Sequence, residues 1–458
     1  MKVSQNSVRR KSTAIPELRF EDQSLTSYSG LVLFQVFLQH INLRARLDQV
    51  FSHLLGDRTY GPALMVYLLV IHLLIGGRRI REISRYCSDP MVLRLCGLER
   101  MPDVSTISRT MAQIDRKGVE QLRNLIVYSV ITDLKKLQLE TVTLDFDGSV
   151  IGTSRFAEGT AVGFNRKKKG QRSYYPLFCT VAQTGQVLDL LHRPGNVHDS
   201  NGAREFIGGC IRLVRQALPG ARIEVRMDSA FFSDELVRTL EKARVEFSIS
   251  VPFERFPALR RLIEARRRWR RASSDISYFE RSWKPDKWRK RYRFLFIRTS
   301  RPIQHKGVIQ LDFFIPQEFE FDYKVVVTNK RMGVRSLLLY HNGRGSQENV
   351  FAELKSQGQM DYVPFRSLYA NQVFLMSSIL AFNLNRQMQI QSQPRFRKTT
   401  RKRAALWAFE KLDTVRRRVI QRAGRIIRPQ GRLTLVMSGN QATEREFHHQ
   451  LAALKRAA

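Results

Sequence analysis

Near Glu140 the spacing of apolar residues switches from that of a helix to that of a strand, and this switch bounds the fold more tightly than any other feature of the chain. Before it, apolar residues recur at intervals of three and four, as in Leu31, Phe34, Phe37 and Leu38 and again from Leu64 to Leu74, which is the periodicity of amphipathic or buried helices. After it, ETVTLDFDGSVIG alternates in period two and is rich in β-branched residues, so it predicts a strand. SYYPLFCTVAQTGQVLDLLHRPGN predicts two further strands around a Thr184-Gly185 turn. A helix capped by Asp199 or Ser200 follows, then a strand ending at Asp228, the helix SDELVRTLEKARV and the strand EFSISVP. The succession β-β-β-α-β-α-β places the segment in the α/β class with a mixed sheet.

That order is the one expected of a ribonuclease-H-like core. It divides the chain into a polar leader (1–25), an N-terminal all-α region (26–139), a core in two pieces (140–251 and 321–390), a basic β-rich insertion (252–320) and a basic C-terminal helical tail (391–458). Within the N-terminal region, ISRYCSDPMVLRLCGLERMPDVSTISRTMAQI predicts two short helices, a break at Pro102-Asp103 and a third helix capped by Asp103 or Ser105. The third carries Ser105, Thr106, Ser108, Arg109 and Thr110, side chains suited to phosphates and base edges. A helix-turn-helix and an ordinary helical bundle both satisfy this pattern.

Charge narrows the class of partner. The 458 residues hold 78 Lys and Arg against 41 Asp and Glu, a formal charge of +37. Solubility needs a charge of only about 2–8, and a larger excess opposes compaction, so a polyanion is the expected partner. Residues 251–300 carry net +11 and residues 391–458 net +13, so these 118 residues hold 24 of the 37 excess charges. Such concentration points to dedicated DNA-contact surfaces rather than a uniformly solvated exterior. The four cysteines, Cys87, Cys96, Cys179 and Cys210, are scattered without a CxxC pair, which argues against a zinc site or a disulfide framework. The basic start MKVSQNSVRRKS lacks an apolar stretch of the secretory kind. The run from Ala63 to Gly77 is too short for a bilayer and contains His72. The expectation is a cytoplasmic, nucleoid-associated protein with no membrane partner.

Three acids stand where phosphodiester chemistry would want them. Cleaving DNA takes an activated water and a stabilised leaving oxygen, which two Mg2+ ions supply, with Mn2+ able to substitute; such hard cations take carboxylate ligands. Strand ends hold such ligands rigidly. Asp147 lies in LDFDGS where a strand meets Gly148, Asp228 ends RIEVRMD, and Glu348 opens the helix QENVFAELKSQ. Asp145 is two residues from Asp147 on the same face, and Asp147 is preferred because it is nearer the strand end. Arg344, Glu348 and Lys355 are spaced R-x3-E-x6-K; Arg344 could clamp a phosphate and Lys355, two turns beyond Glu348, could meet the DNA backbone. His198, in GNVHDS after a strand, is expected near the same place. The segment RKKKGQRSYYP (166–176) reads either as a basic hairpin touching DNA or as a solvated loop.

These stretches, LDFDGS, VRMDSAFFS and YHNGRGSQENVFAELK, resemble the DDE transposases of bacterial insertion sequences, in the group with a Tyr-Arg-Glu-Lys signature. The resemblance covers roughly residues 140–390. Arg344, Glu348 and Lys355 fall at the signature's spacing, whereas three residues rather than two separate Tyr340 from Arg344. The resemblance implies a β-rich insertion between the second and third acids, cutting at terminal inverted repeats, joining of 3′-OH ends to target DNA, and a homodimer in the DNA complex. It also implies a flipped base held by an insertion aromatic. Trp283 and Trp288, with Trp269, lie among the Arg and Lys of that segment, and they equally suit its small hydrophobic core. Two other functions share these features: a magnesium-dependent endonuclease that does not transpose, and a transposase-derived DNA-binding protein without catalysis.

Overall fold

The computed structural model describes residues 15, 17–54, 59–163, 165, 168–198, 201–300, 321–392, 396–397 and 406–457. The helix caps proposed at Asp199 and Ser200, the strand LDFFIP and most of QPRFRKTTRKR lie outside these residues.

The N-terminal region is helical, as its periodicity requires: α1 (Leu31–His40), α2 (Leu43–Val50), α3 (Pro62–Ile75), α4 (Pro90–Cys96), α5 (Val104–Met111) and α6 (Arg116–Leu137). Every residue of α3 is buried, which explains its lack of polar positions apart from His72. Pro62 opens it and Gly76, at φ 103°, closes it.

Nine strands then form one sheet: β1 (Thr141–Gly148), β2 (Leu177–Val181), β3 (Val187–Leu191), β4 (Arg222–Met227), β5 (Glu246–Val251), β6 (Arg270–Arg271), β7 (Ile276–Trp283), β8 (Tyr292–Ser300) and β9 (Phe321–Thr328). Their spatial order is β6-β7-β8-β9-β5-β4-β1-β2-β3. β1 pairs parallel with β4, and β4 parallel with β5, while β2 runs antiparallel to β1 and β3 antiparallel to β2. The β2–β3 turn holds Gly185 at φ 59°, a conformation glycine adopts without strain.

Helices α7 (Ala203–Ala217) and α8 (Asp234–Lys242) cover one sheet face, where Val142, Leu144, Phe146, Val225 and Met227 join their apolar sides. Three later helices, α10 (Val334–Asn342), α11 (Gly345–Ser356) and α12 (Leu368–Ser392), follow β9, and α12 packs with the N-terminal helices in a second core. The segment 252–300 is continuous with the core. After α9 (Pro257–Glu264), β7 and β8 pair antiparallel, and β8 pairs with β9, which returns antiparallel to β5.

The C-terminal tail is not helical throughout. Gly424–Ile427 and Thr434–Met437 pair as strands, Leu25–Thr26 adds a third, and a last helix spans Gln441–Ala457. Alternation within RLTLVMSGN fits a strand there. The tail is tied to the N-terminal region by Arg416, which donates to the Leu73 and Leu74 carbonyls at the end of α3.

Candidate active site

Strand alternation puts Thr143, Asp145 and Asp147 on one face of β1, opposite the apolar residues that meet α7. On β4 the same face carries Glu224 and Arg226, and the next such position is Asp228. The parallel register pairs Asp145 with Arg226 and Phe146 with Met227. Asp147 and Asp228 are the next residue of each strand's chain, at the carboxyl ends of these adjacent strands. Neighbouring strands lie about 4.8 Å apart, so two acids at such ends lie within reach of a common cation.

The two neighbouring aspartates of β1 have different surroundings. Asp145 is 0 % exposed and takes two hydrogen bonds of 2.6 Å from Arg226, whose third donor reaches the Tyr340 carbonyl. Burial raises its carboxyl pKa against the pull of Arg226. Asp147 is half-buried and accepts from Gly148 N at 2.8 Å and from Arg344 at 3.1 Å. Asp228 follows the last residue of β4 and caps a short turn, accepting from Ala230 N at 3.0 Å.

Helix α11 lies along the end of β1. Gln347 donates to the Asp145 carbonyl at 3.1 Å and Lys355 to the Val150 carbonyl at 3.2 Å, fixing both ends of the helix against the strand and its following loop. Glu348 sits in the first turn, its side chain 66 % exposed. The Arg344 guanidinium stands between acids, 3.1 Å from Asp147 and 3.7 Å from Glu348. Tyr340 points elsewhere: it is buried, its hydroxyl donates to the Val225 carbonyl, and Lys330 lies over its ring. The extra residue between it and Arg344 accompanies a position in the core.

A cleft of about 900 Å3 opens beside these strand ends, with Asp228, His198, Lys168, Arg255, Lys355 and Asp361 on its walls. His198 and the 166–176 segment, represented by Lys168, Gln171 and Tyr175, thus reach the same cleft as Asp228. Asp361 escaped the sequence reading, because nothing in QGQMDY marks it beyond a break after α11. Among the described residues, no three His, Cys, Asp or Glu side chains are grouped closely enough to hold a metal ion. Asp147, Asp228 and Glu348 nevertheless supply oxygen donors of the kind Mg2+ and Mn2+ take.

None of the remaining candidates, Trp283, Trp288 and Arg109, lines this cleft. Trp288 is 7 % exposed and stacks on Phe232 with ring centroids 4.8 Å apart, while Trp283 is half-buried and packs edge-on against Phe294 and Phe256. Arg109 lies with Ser105 and Ser108 on the exposed side of α5, whose Ile107 and Met111 face the core.

A mixed sheet presenting acids at its strand ends, flanked by basic segments, is the frame of a polynucleotide-processing enzyme. The chain belongs to the family described as transposase DDE domain group 1, which matches residues 9–458. That family comprises enzymes that cleave DNA and transfer strands, typically with divalent metals. Among solved structures the chain is similar to a piggyBac transposase synaptic complex with hairpin DNA, at 12 % identity and a TM-score of 0.39, with 79 % of this chain and 76 % of that one covered. Among curated proteins none matches. Among the described residues, no helix is long and apolar enough to cross a membrane.

Proposed function

We propose that the chain is the transposase of an insertion sequence, cutting DNA at terminal inverted repeats and joining the freed 3′-OH ends to target DNA, with Asp147, Asp228 and Glu348 as the catalytic carboxylates. What supports the assignment is the parallel register, which ends at Phe146 beside Met227 with Asp147 and Asp228 as the next residues, together with the Arg344 contacts to Asp147 and Glu348. The strand order β3-β2-β1-β4-β5, with β1, β4 and β5 parallel, supports a ribonuclease-H-like core, extended at the β5 edge by the strands of the insertion. Asp145 is the weaker candidate for the first carboxylate, because both of its oxygens already serve Arg226.

In this reading the three carboxylates hold two divalent ions, Mg2+ or Mn2+, which when bound supply an activated water and neutralise the leaving oxygen. The protein's part is to fix its ligands on two strand ends and one helix, each tied to the sheet by backbone and side-chain hydrogen bonds. Lys355, on the cleft wall, and Arg344 meet the DNA backbone. Arg109 contacts the terminal repeats from α5. Trp283 keeps an exposed part and is assigned to an unpaired base, with Trp288 packed beneath the same segment. A homodimer brings the two element ends together.

The test uses the purified chain and a donor plasmid carrying the gene with its flanking DNA. Cleavage and strand-transfer products are expected with Mg2+ or Mn2+, and none with EDTA or with Glu348→Ala. Cleavage without joining would instead identify an endonuclease, and binding without cleavage a catalytically inactive DNA-binding protein. Full activity of Glu348→Ala would remove the mechanism.

A further inference from the structure

We infer that Arg344 is a cation latch: its guanidinium holds Asp147 and Glu348 together, and a divalent metal ion must displace it to use those carboxylates. This rests on the assignment of those two acids as metal ligands. Arg344 reaches across two elements, because it precedes the first residue of α11 while Asp147 is the penultimate residue of β1. One nitrogen, Nη1, is 3.1 Å from Asp147 Oδ2, and the other, Nη2, is 3.7 Å from Glu348 Oε1. The fork thus stands between one oxygen of each acid, where a metal ion shared by the two would have to sit. A dication bridging the two acids would stand within a few ångströms of the guanidinium between them, and like charges at that range repel, so binding of one opposes the other.

The helix itself need not move during the exchange. Gln347 and Lys355 anchor α11 to β1 and its loop independently of Arg344. Only the Arg344 and Glu348 side chains have to turn, and Glu348, largely exposed, has room to do so. Metal loading then frees a guanidinium at the moment the carboxylates are charged with their ions. The released fork can serve a phosphate, so metal and DNA favour one another by the same free energy in either order.

The experiment is a calorimetric titration of the full chain with Mn2+ alone at fixed ionic strength, for the wild type, Arg344→Gln, Lys324→Gln and Asp147→Asn. Lys324 is the control because it lies within electrostatic reach of both Arg344 and Glu348 but is not part of the bridge. Losing a competitor that makes one charge-assisted hydrogen bond at a partly exposed position should tighten Mn2+ binding in Arg344→Gln by about tenfold. Lys324→Gln, which removes an equal charge, should change it by no more than about threefold. Equal effects of the two substitutions, with binding abolished by Asp147→Asn, would overturn the latch and leave the carboxylate assignment standing. Unchanged binding in Asp147→Asn would instead overturn that assignment, and the latch with it.

Discussion

Replacing Asp145 by Asn removes the carboxylate with which the buried Arg226 guanidinium makes two hydrogen bonds. Arg226 is 5 % exposed and Asp145 0 % exposed, and both carboxylate oxygens accept hydrogen bonds of 2.6 Å. Breaking such a buried pair from one side costs about 3–5 kcal/mol, because the remaining charge stays desolvated. Against a total of about 5–15 kcal/mol for a folded domain, that is a large share. Asp147→Asn should cost under about 1 kcal/mol, since its pair with Arg344 is partly exposed and reaches only one carboxylate oxygen. Urea denaturation of the two variants measures this contrast, and DNA cleavage should behave in the opposite sense. Asp147→Asn stays folded and loses activity, whereas the double variant Asp145→Leu, Arg226→Met recovers stability by removing both charges and still cleaves. A stable double variant that cannot cleave, alongside an active Asp147→Asn, would move the first carboxylate to Asp145 and refute the reasoning.

Two further outcomes follow from the packing. Asp133 on α6 is buried, accepts from Gln186 and Gln387 at 2.8 Å each, and has its carboxyl pushed up to about 6 mainly by burial, from an ordinary value of 3.8. A raised folded pKa gives stability that is complete below about pH 4 and is lost as pH rises through about 6, here worth at most about 3 kcal/mol. Asp133→Asn should flatten that part of a urea-midpoint profile, since its amide can donate to the buried Gln186 Oε1 once the Gln186 amide turns; an unchanged slope would refute the assignment. In the insertion, Trp288→Ala should cost about 3–5 kcal/mol in thermal or urea unfolding, and Trp283→Ala distinctly less while weakening binding to a DNA end with unpaired bases. Equal stability losses would place both rings in the same structural role.

The strands and helices that carry the candidate acids were legible because each announces itself locally. LDFDG alternates, VRMD ends on an acid, Gly185 marks a turn, and Glu348 opens a helix. What was not legible depends on pairing between distant segments. The basic segment after Pro252 reads as an insertion from its composition, yet its strands continue the core sheet, because β9 returns to β5 some 70 residues later in the chain. The C-terminal strand Gly424–Ile427 takes Leu25–Thr26 as a neighbour from the opposite end of the sequence. Tyr340 illustrates the same limit: one residue of offset from the signature spacing goes with a buried ring, and only the folded chain shows what that ring packs against.

The ambiguity between Asp145 and Asp147 has a deeper cause. Both lie 81 residues before a residue of β4 or its end, Arg226 in one case and Asp228 in the other, and parallel pairing turns that shared offset into two different environments. The sheet face beneath α10 and α11 is a polar seam. Thr143 donates to Glu224, Lys330 joins Glu224 and Glu246, and Arg226 joins Asp145 to the Tyr340 carbonyl. Each step of the seam matches a donor or cation to an acid, as burial demands. Beyond the last pair in register, Phe146 beside Met227, come Asp147, which Arg344 reaches from the start of α11, and Asp228, which caps a short turn. The seam therefore ends where the proposed site begins, with Asp147 held by Arg344 and Asp228 on the cleft wall, each carrying an oxygen of the kind a hard cation takes.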